Sequence, residues 1–197
     1  MKHLATLPFA LLTAFSLAAV PAYSAEIPRK APELAIQLPD GSQKLLSSYR
    51  GKVVVLEFVF TTCPHCQHSC QLLSQLQKEY GPKGFQPLAV AWNDMAKMLV
   101  PDFVKENHVT FPVGYADRNL VNTYLQNPPE EALSVPQIVF IDRKGMIRMQ
   151  SLPRNDASTG SEANIRGMIE KLLAEKAGPA SSHSVSGKTG SPSRKAS

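Results

Sequence analysis

Cys63 and Cys66, separated by Pro64 and His65, are the residues of this chain whose types and spacing could do chemistry. On a helix, two thiols three positions apart lie about one turn from each other, so a disulfide between them forms and breaks with little backbone movement. Such a pair exchanges disulfides: one thiolate attacks a disulfide sulfur, and the second thiol releases the mixed disulfide that results. Cys63 is the expected nucleophile, because a helix N-terminus offers unpaired backbone N–H groups and the positive end of the macrodipole, both of which favour a thiolate there. Cys66 is the expected resolving partner. Pro64 suits the first helical turn and His65 can bring positive charge near the thiolate. The competing readings are a structural disulfide and half of a zinc site. With three cysteines in the chain there is no second Cys-x-x-Cys to complete a zinc site, and a structural bridge rarely spans so tight a strand–helix junction.

The elements around the pair must present it. Val53-Val54-Val55-Leu56-Glu57-Phe58-Val59-Phe60 is β-branched and aromatic over the length of a buried strand, interrupted only by Glu57. Beyond the cysteines, Leu72, Leu73, Leu76 and Tyr80 recur at helical spacing until Gly81-Pro82 stops them. Upstream, Pro28 to Pro32 reads as a linker. Leu34 to Leu38 and the turn Pro39-Asp40-Gly41 predict a small hairpin ending near Leu45, followed by a short turn to Gly51. Downstream, Phe85 to Trp92 predicts a strand, and Asn93-Asp94 a capped helix to about His108 with Pro101 at a bend or break. A short strand over Phe111 to Tyr115 and a helix from Asp117 to Leu125, halted by Asn127-Pro128-Pro129, come next. Ser134 to Asp142 and Met146 to Leu152 then predict a hairpin, and Ile165, Met168, Ile169, Leu172 and Leu173 the apolar face of a closing helix, about Ser161 to Lys176. This order predicts an α/β fold with a mixed sheet covered on both faces.

The chain opens with Met1-Lys2-His3 and a mostly apolar run from Leu4 to Val20, which resembles a secretory signal peptide over residues 1–25 with cleavage after Ala22, Ser24 or Ala25. An uncleaved leader acting as an anchor is the alternative. Export places the thiols where disulfides persist, here the periplasm. Residues 26–176 are the size of one domain, and residues 177–197, rich in Ser, Gly, Pro and Lys without periodicity, read as a disordered tail. The formal net charge of +5 comes from scattered basic residues without aromatic interleaving, so no nucleic acid partner is expected.

From about Ala31 to Lys176 the chain resembles exported thioredoxin-fold proteins of the TlpA/ResA-like branch. The resemblance rests on Leu38-Pro39-Asp40-Gly41, on Gly51-Lys52-Val53-Val54-Val55-Leu56 leading into Cys63-Pro64-His65-Cys66, and on Val135-Pro136 leading into Phe140-Ile141-Asp142-Arg143-Lys144-Gly145. It implies a thioredoxin-like three-layer fold, a mixed central sheet flanked by helices with an N-terminal β-hairpin extension. It also implies that Pro136 is cis and faces the thiol pair, leaving the Val135 backbone to pair with an extended substrate held near Pro64 and His65. Glu57 stands six residues before Cys63, where thioredoxins carry a buried acid, and is expected to take the proton of Cys66; the competing reading is a glutamate at a sheet edge reaching solvent. The expected function is thiol–disulfide exchange with exported cysteine-containing client proteins, in the direction of a reductase: a membrane-bound thiol donor keeps the monomer reduced, with no cofactor beyond the Cys63–Cys66 disulfide.

Other readings compete. Pro64-His65 is the dipeptide of the oxidising enzyme DsbA, which also carries valine before its cis-proline, so a thiol oxidase is one alternative. A peroxiredoxin would need threonine and proline where Phe60 and Leu56 stand, and Sco-type copper proteins space their cysteines differently and use a distal histidine, for which His108 is the only candidate. A copper-binding module on the same fold remains the other alternative, because Cys63, His65, Cys66, His68 and Cys70 crowd about two turns of helix. The favoured reading of Cys70 is a small buried residue, with His65 and His68 turned away from the cysteine face.

Overall fold

The computed structural model describes residues 25–154 and 159–175. The leader, except for its last residue, and the tail read from the sequence lie outside that span. Eight strands follow in order: β1 (Arg29–Lys30), β2 (Ala35–Gln37), β3 (Gln43–Leu45), β4 (Val53–Val59), β5 (Phe85–Ala91), β6 (Val113–Tyr115), β7 (Gln137–Ile141) and β8 (Met146–Gln150). The helices are α1 (Pro64–Tyr80), α2 (Ala96–Glu106), α3 (Arg118–Leu125) and α4 (Glu162–Ala174). The strands form one mixed sheet ordered β1-β8-β7-β4-β5-β6-β2-β3. β4 lies at its centre, parallel to β5 and antiparallel to β7.

Every residue of β4 is buried, as a central strand covered on both faces requires. Side chains alternate between the two faces. Val53, Val55 and Val59 join a core with Cys66, Cys70, Leu73 and Leu76 of α1, Val100 and Phe103 of α2, and Ile165 and Ile169 of α4. Val54, Leu56 and Phe58 join the opposite core with Leu34, Ile36, Val121, Tyr124 and Leu125. Glu57 belongs by parity to the first set, so it faces α1 from the middle of the sheet. It is not at an edge.

Three local expectations are corrected. Residues 28–32 are more than a linker: β1 pairs with β8 through Arg29 and Lys30. The hairpin β2–β3 is part of the main sheet, joined to β6 at Gln37 and Tyr115. α2 begins at Ala96 after Met95 in the left-handed region, with no side-chain cap, and it runs through Pro101 unbroken. Pro101 and Lys97, whose carbonyl would have received the missing N–H, are both exposed, so water can satisfy that carbonyl. Asp117 does cap α3, its carboxylate accepting from the Leu120 N–H.

Candidate active site

The strand ends at Val59 because the chain must turn through Phe60, Thr61 and Thr62 to start α1. Asn93 fixes that turn. Its side-chain oxygen accepts from the Thr61 N–H at 2.9 Å and its amide donates to Thr61 Oγ1 at 3.1 Å. Phe60 packs edge-on against Trp92, ring centroids 4.6 Å apart, and the Arg118 guanidinium lies over the Trp92 ring. Cys63 is the N-cap of α1 and Pro64 its first residue. The Cys63 carbonyl accepts the Gln67 N–H at 3.0 Å, the first bond of the helix.

All three cysteines are thiols in this structure. Cys63 is half-buried, whereas Cys66 and Cys70 are fully buried against the sheet. The Cys63 sulfur lies 4.0 Å from the Val135 carbonyl oxygen, and the Val135–Pro136 peptide bond is cis. Gln137, itself buried, staples the loop before Pro136: its side-chain amide donates to the Ser134 and Leu152 carbonyls at 2.8 and 3.2 Å. Beside this loop runs a groove of about 340 Å³ whose lining includes His65, His68, Ser69, Val135, Pro136 and Glu162. His65 and His68 are exposed. Among the described residues, no group of three or more His, Cys, Asp or Glu side chains could hold a metal ion.

Beneath the thiols lies Glu57, with no exposed surface. The Ser69 hydroxyl donates to Oε1 at 2.5 Å and the Cys70 thiol to Oε2 at 3.6 Å. Burial disfavours the carboxylate and outweighs both donors, lifting its pKa from 4.5 to about 7. Burial likewise pushes the Cys66 thiol well up, and the neighbouring Cys63 and Glu57 add to this. Cys70 rises for the same first reason, with the charge of Glu57 next. Cys66 therefore stays protonated at neutral pH unless a base takes its proton, and a carboxyl group poised near neutrality fits that task.

Of the residues singled out in the sequence, the structure sets Cys63 against Val135 beside the cis Pro136, Pro64 and Cys66 after it on α1, Glu57 among the charged neighbours of Cys66, and His65 along the groove. Three participants are not picked out by the sequence: Asn93 reads as a helix cap, Gln137 as a strand residue, and Ser69 stands in no motif. A polar residue on the buried face of an otherwise apolar helix was the available signal for Ser69. The reading of Cys70 as a packing residue is incomplete, since it also donates to Glu57.

A strand–turn–helix carrying a thiol pair, opposed by a proline loop from the neighbouring strand of a mixed sheet, defines a thioredoxin-like oxidoreductase. The chain belongs to the Redoxin family, whose profile matches residues 28–169. It is similar to the thiol-disulfide oxidoreductase ResA of Bacillus cereus, 27% identical over 123 residues, spanning 62% of this chain and 67% of that protein. The thioredoxin-like protein YneN of Bacillus subtilis is 28% identical over 122 residues, 61% of this chain and 68% of its own length. Among solved structures, a Chlorobium tepidum chain assigned as the thiol:disulfide interchange protein DsbE superposes with a TM-score of 0.63 at 25% identity, covering 76% of this chain and 99% of that one. The fold expected from the sequence and the oxidoreductase class are both supported by these matches.

Proposed function

We propose that the protein exchanges its Cys63–Cys66 dithiol with disulfides of exported client proteins and acts in the reductive direction. The observation that carries this reading is the approach of the half-buried Cys63 sulfur to the Val135 carbonyl oxygen, 4.0 Å away, beside the groove that Val135 and Pro136 line. A client strand laid along Val135 would bring its own sulfur to Cys63. Cys63 attacks a client disulfide, forming the mixed disulfide and releasing one client thiolate. Cys66 gives its proton to Glu57 and attacks the Cys63 sulfur, closing Cys63–Cys66 and freeing the second client thiolate. The protein leaves this cycle oxidised by two electrons, so a thiol donor must restore it; for an exported protein that donor is membrane-bound. ResA and DsbE are named for thiol–disulfide chemistry, which supports the exchange but not its direction.

The test is covalent trapping. With Cys66→Ser in place, Cys63 should accumulate as mixed disulfides with periplasmic proteins carrying cysteine pairs, and Cys63→Ser should trap none. Equal trapping by the two variants would defeat the assignment of Cys63 as nucleophile.

A further inference from the structure

Glu57 has no exposed surface, so a proton it receives from Cys66 needs a way out before the next cycle. Its two hydrogen-bond partners differ in what lies behind them. Cys70 is fully buried and leads only into the core. Ser69, 7% exposed, touches Glu57 Oε1 on one side and lines the groove with His65 and His68 on the other. We propose that Ser69 is the proton-relay residue of the site, its hydroxyl linking the buried Glu57 carboxyl to water in the groove between α1 and the Val135–Pro136 loop. This rests on the role given to Glu57 in the thiol exchange above.

The step balances. Cys66–SH and the Glu57 carboxylate become a Cys66 thiolate and a Glu57 carboxylic acid; the thiolate attacks Cys63, the Cys63–client S–S bond breaks, and the client leaves as a thiolate. Glu57 then donates its O–H to Ser69 Oγ while the Ser69 hydroxyl hydrogen turns to a groove water. A serine hydroxyl, one donor with two acceptor lone pairs, can hold both bonds at once. The net result is one proton delivered to water. The ionisable groups that face this path are Cys63, Cys66 and Cys70 on α1, with His65, His68 and Glu162 along the groove. A pKa of about 7 for Glu57 lets it take and give the proton near neutral pH.

The experiment follows mixed-disulfide formation and resolution separately by acid quench and thiol alkylation, using a model disulfide peptide, across pH 5 to 9. Ser69→Ala should slow resolution by about a hundredfold, the lower end of what a positioned proton carrier contributes, while formation keeps its rate. The pH profile of resolution should lose the limb set by Glu57. Ser69→Thr, which keeps the hydroxyl, should restore both. In a Glu57→Gln background, Ser69→Ala should add no further slowing, because the relay would have nothing to carry. Resolution at the parent rate in Ser69→Ala, additive losses in the double variant, or equal losses in the folded Ala and Thr variants would each overturn the relay and leave the exchange reaction standing. Failure of the unaltered protein to form any mixed disulfide would instead overturn the proposed function itself.

Discussion

At the scale of the residue, Glu57 couples chemistry to stability. Its pKa is about 7 when folded against 4.5 for the ordinary group. The folded state therefore holds the extra proton between those values, and stability falls as pH rises from about 4.5 through 7. Fully developed above pH 7, the penalty is about 3 kcal/mol. Glu57→Gln should remove this slope, making the variant more stable than the parent at pH 8 in chemical denaturation and closer to it at pH 4.5. It should also slow resolution at Cys66 while sparing attack by Cys63; unchanged resolution would remove Glu57 from the proton path. Cys70→Ala deletes a donor that matters most when the carboxylate is charged. Its cost, about 1–3 kcal/mol for a lost partner of a buried charge, should be larger at pH 8 than at pH 5. Cys70→Ser, which keeps a donor, should recover part of it.

Elements carry the site because the sheet is tightly registered at β6, where β2 crosses. A Cβ on Gly114 would lie 2.3 Å from a methyl of Ile36 and 2.5 Å from the Gln37 carbonyl oxygen. Backbone cannot yield as a flexible side chain does. Gly114→Ala should therefore loosen the β2–β6 pairing and cost about 1–3 kcal/mol, read as a lower denaturation midpoint and faster amide exchange in β2. The thiol pair, its helix and the buried strand before them were legible in the sequence, because β4 is an apolar run broken only by Glu57 and α1 repeats its apolar residues at helical spacing as far as Tyr80. What was not legible depends on distant partners. Asn93 looks like a cap for α2, yet its side chain is held by Thr61 in the turn before Cys63, and α2 starts later without it. β1 has two residues and no pattern; it exists only because β8 offers an edge. Ser69 carries no motif, and its bond to Glu57 arises from the packing of α1 on the central strand.

For the whole molecule, the proposed direction of electron flow turns on which state of the thiol pair is maintained. Cys63 is the N-cap of α1 and only half-buried, with Pro64 and His65 directly after it, while Cys66 is fully buried against the sheet. Burial keeps the Cys66 thiol uncharged in the dithiol state, so its attack on Cys63 needs a base. The reduction potential of the pair sets its equilibrium with any one thiol partner. A potential, however, does not fix the state that a donor maintains in the cell, and the proposed reductive role requires a steady supply of electrons. Acid-trapping of cells followed by thiol alkylation should then find Cys63 and Cys66 mostly reduced, and mostly disulfide-bonded once the membrane donor is removed. A disulfide that predominates with the donor intact would reverse the assignment to a thiol oxidase, with the same residues performing the exchange in the opposite direction.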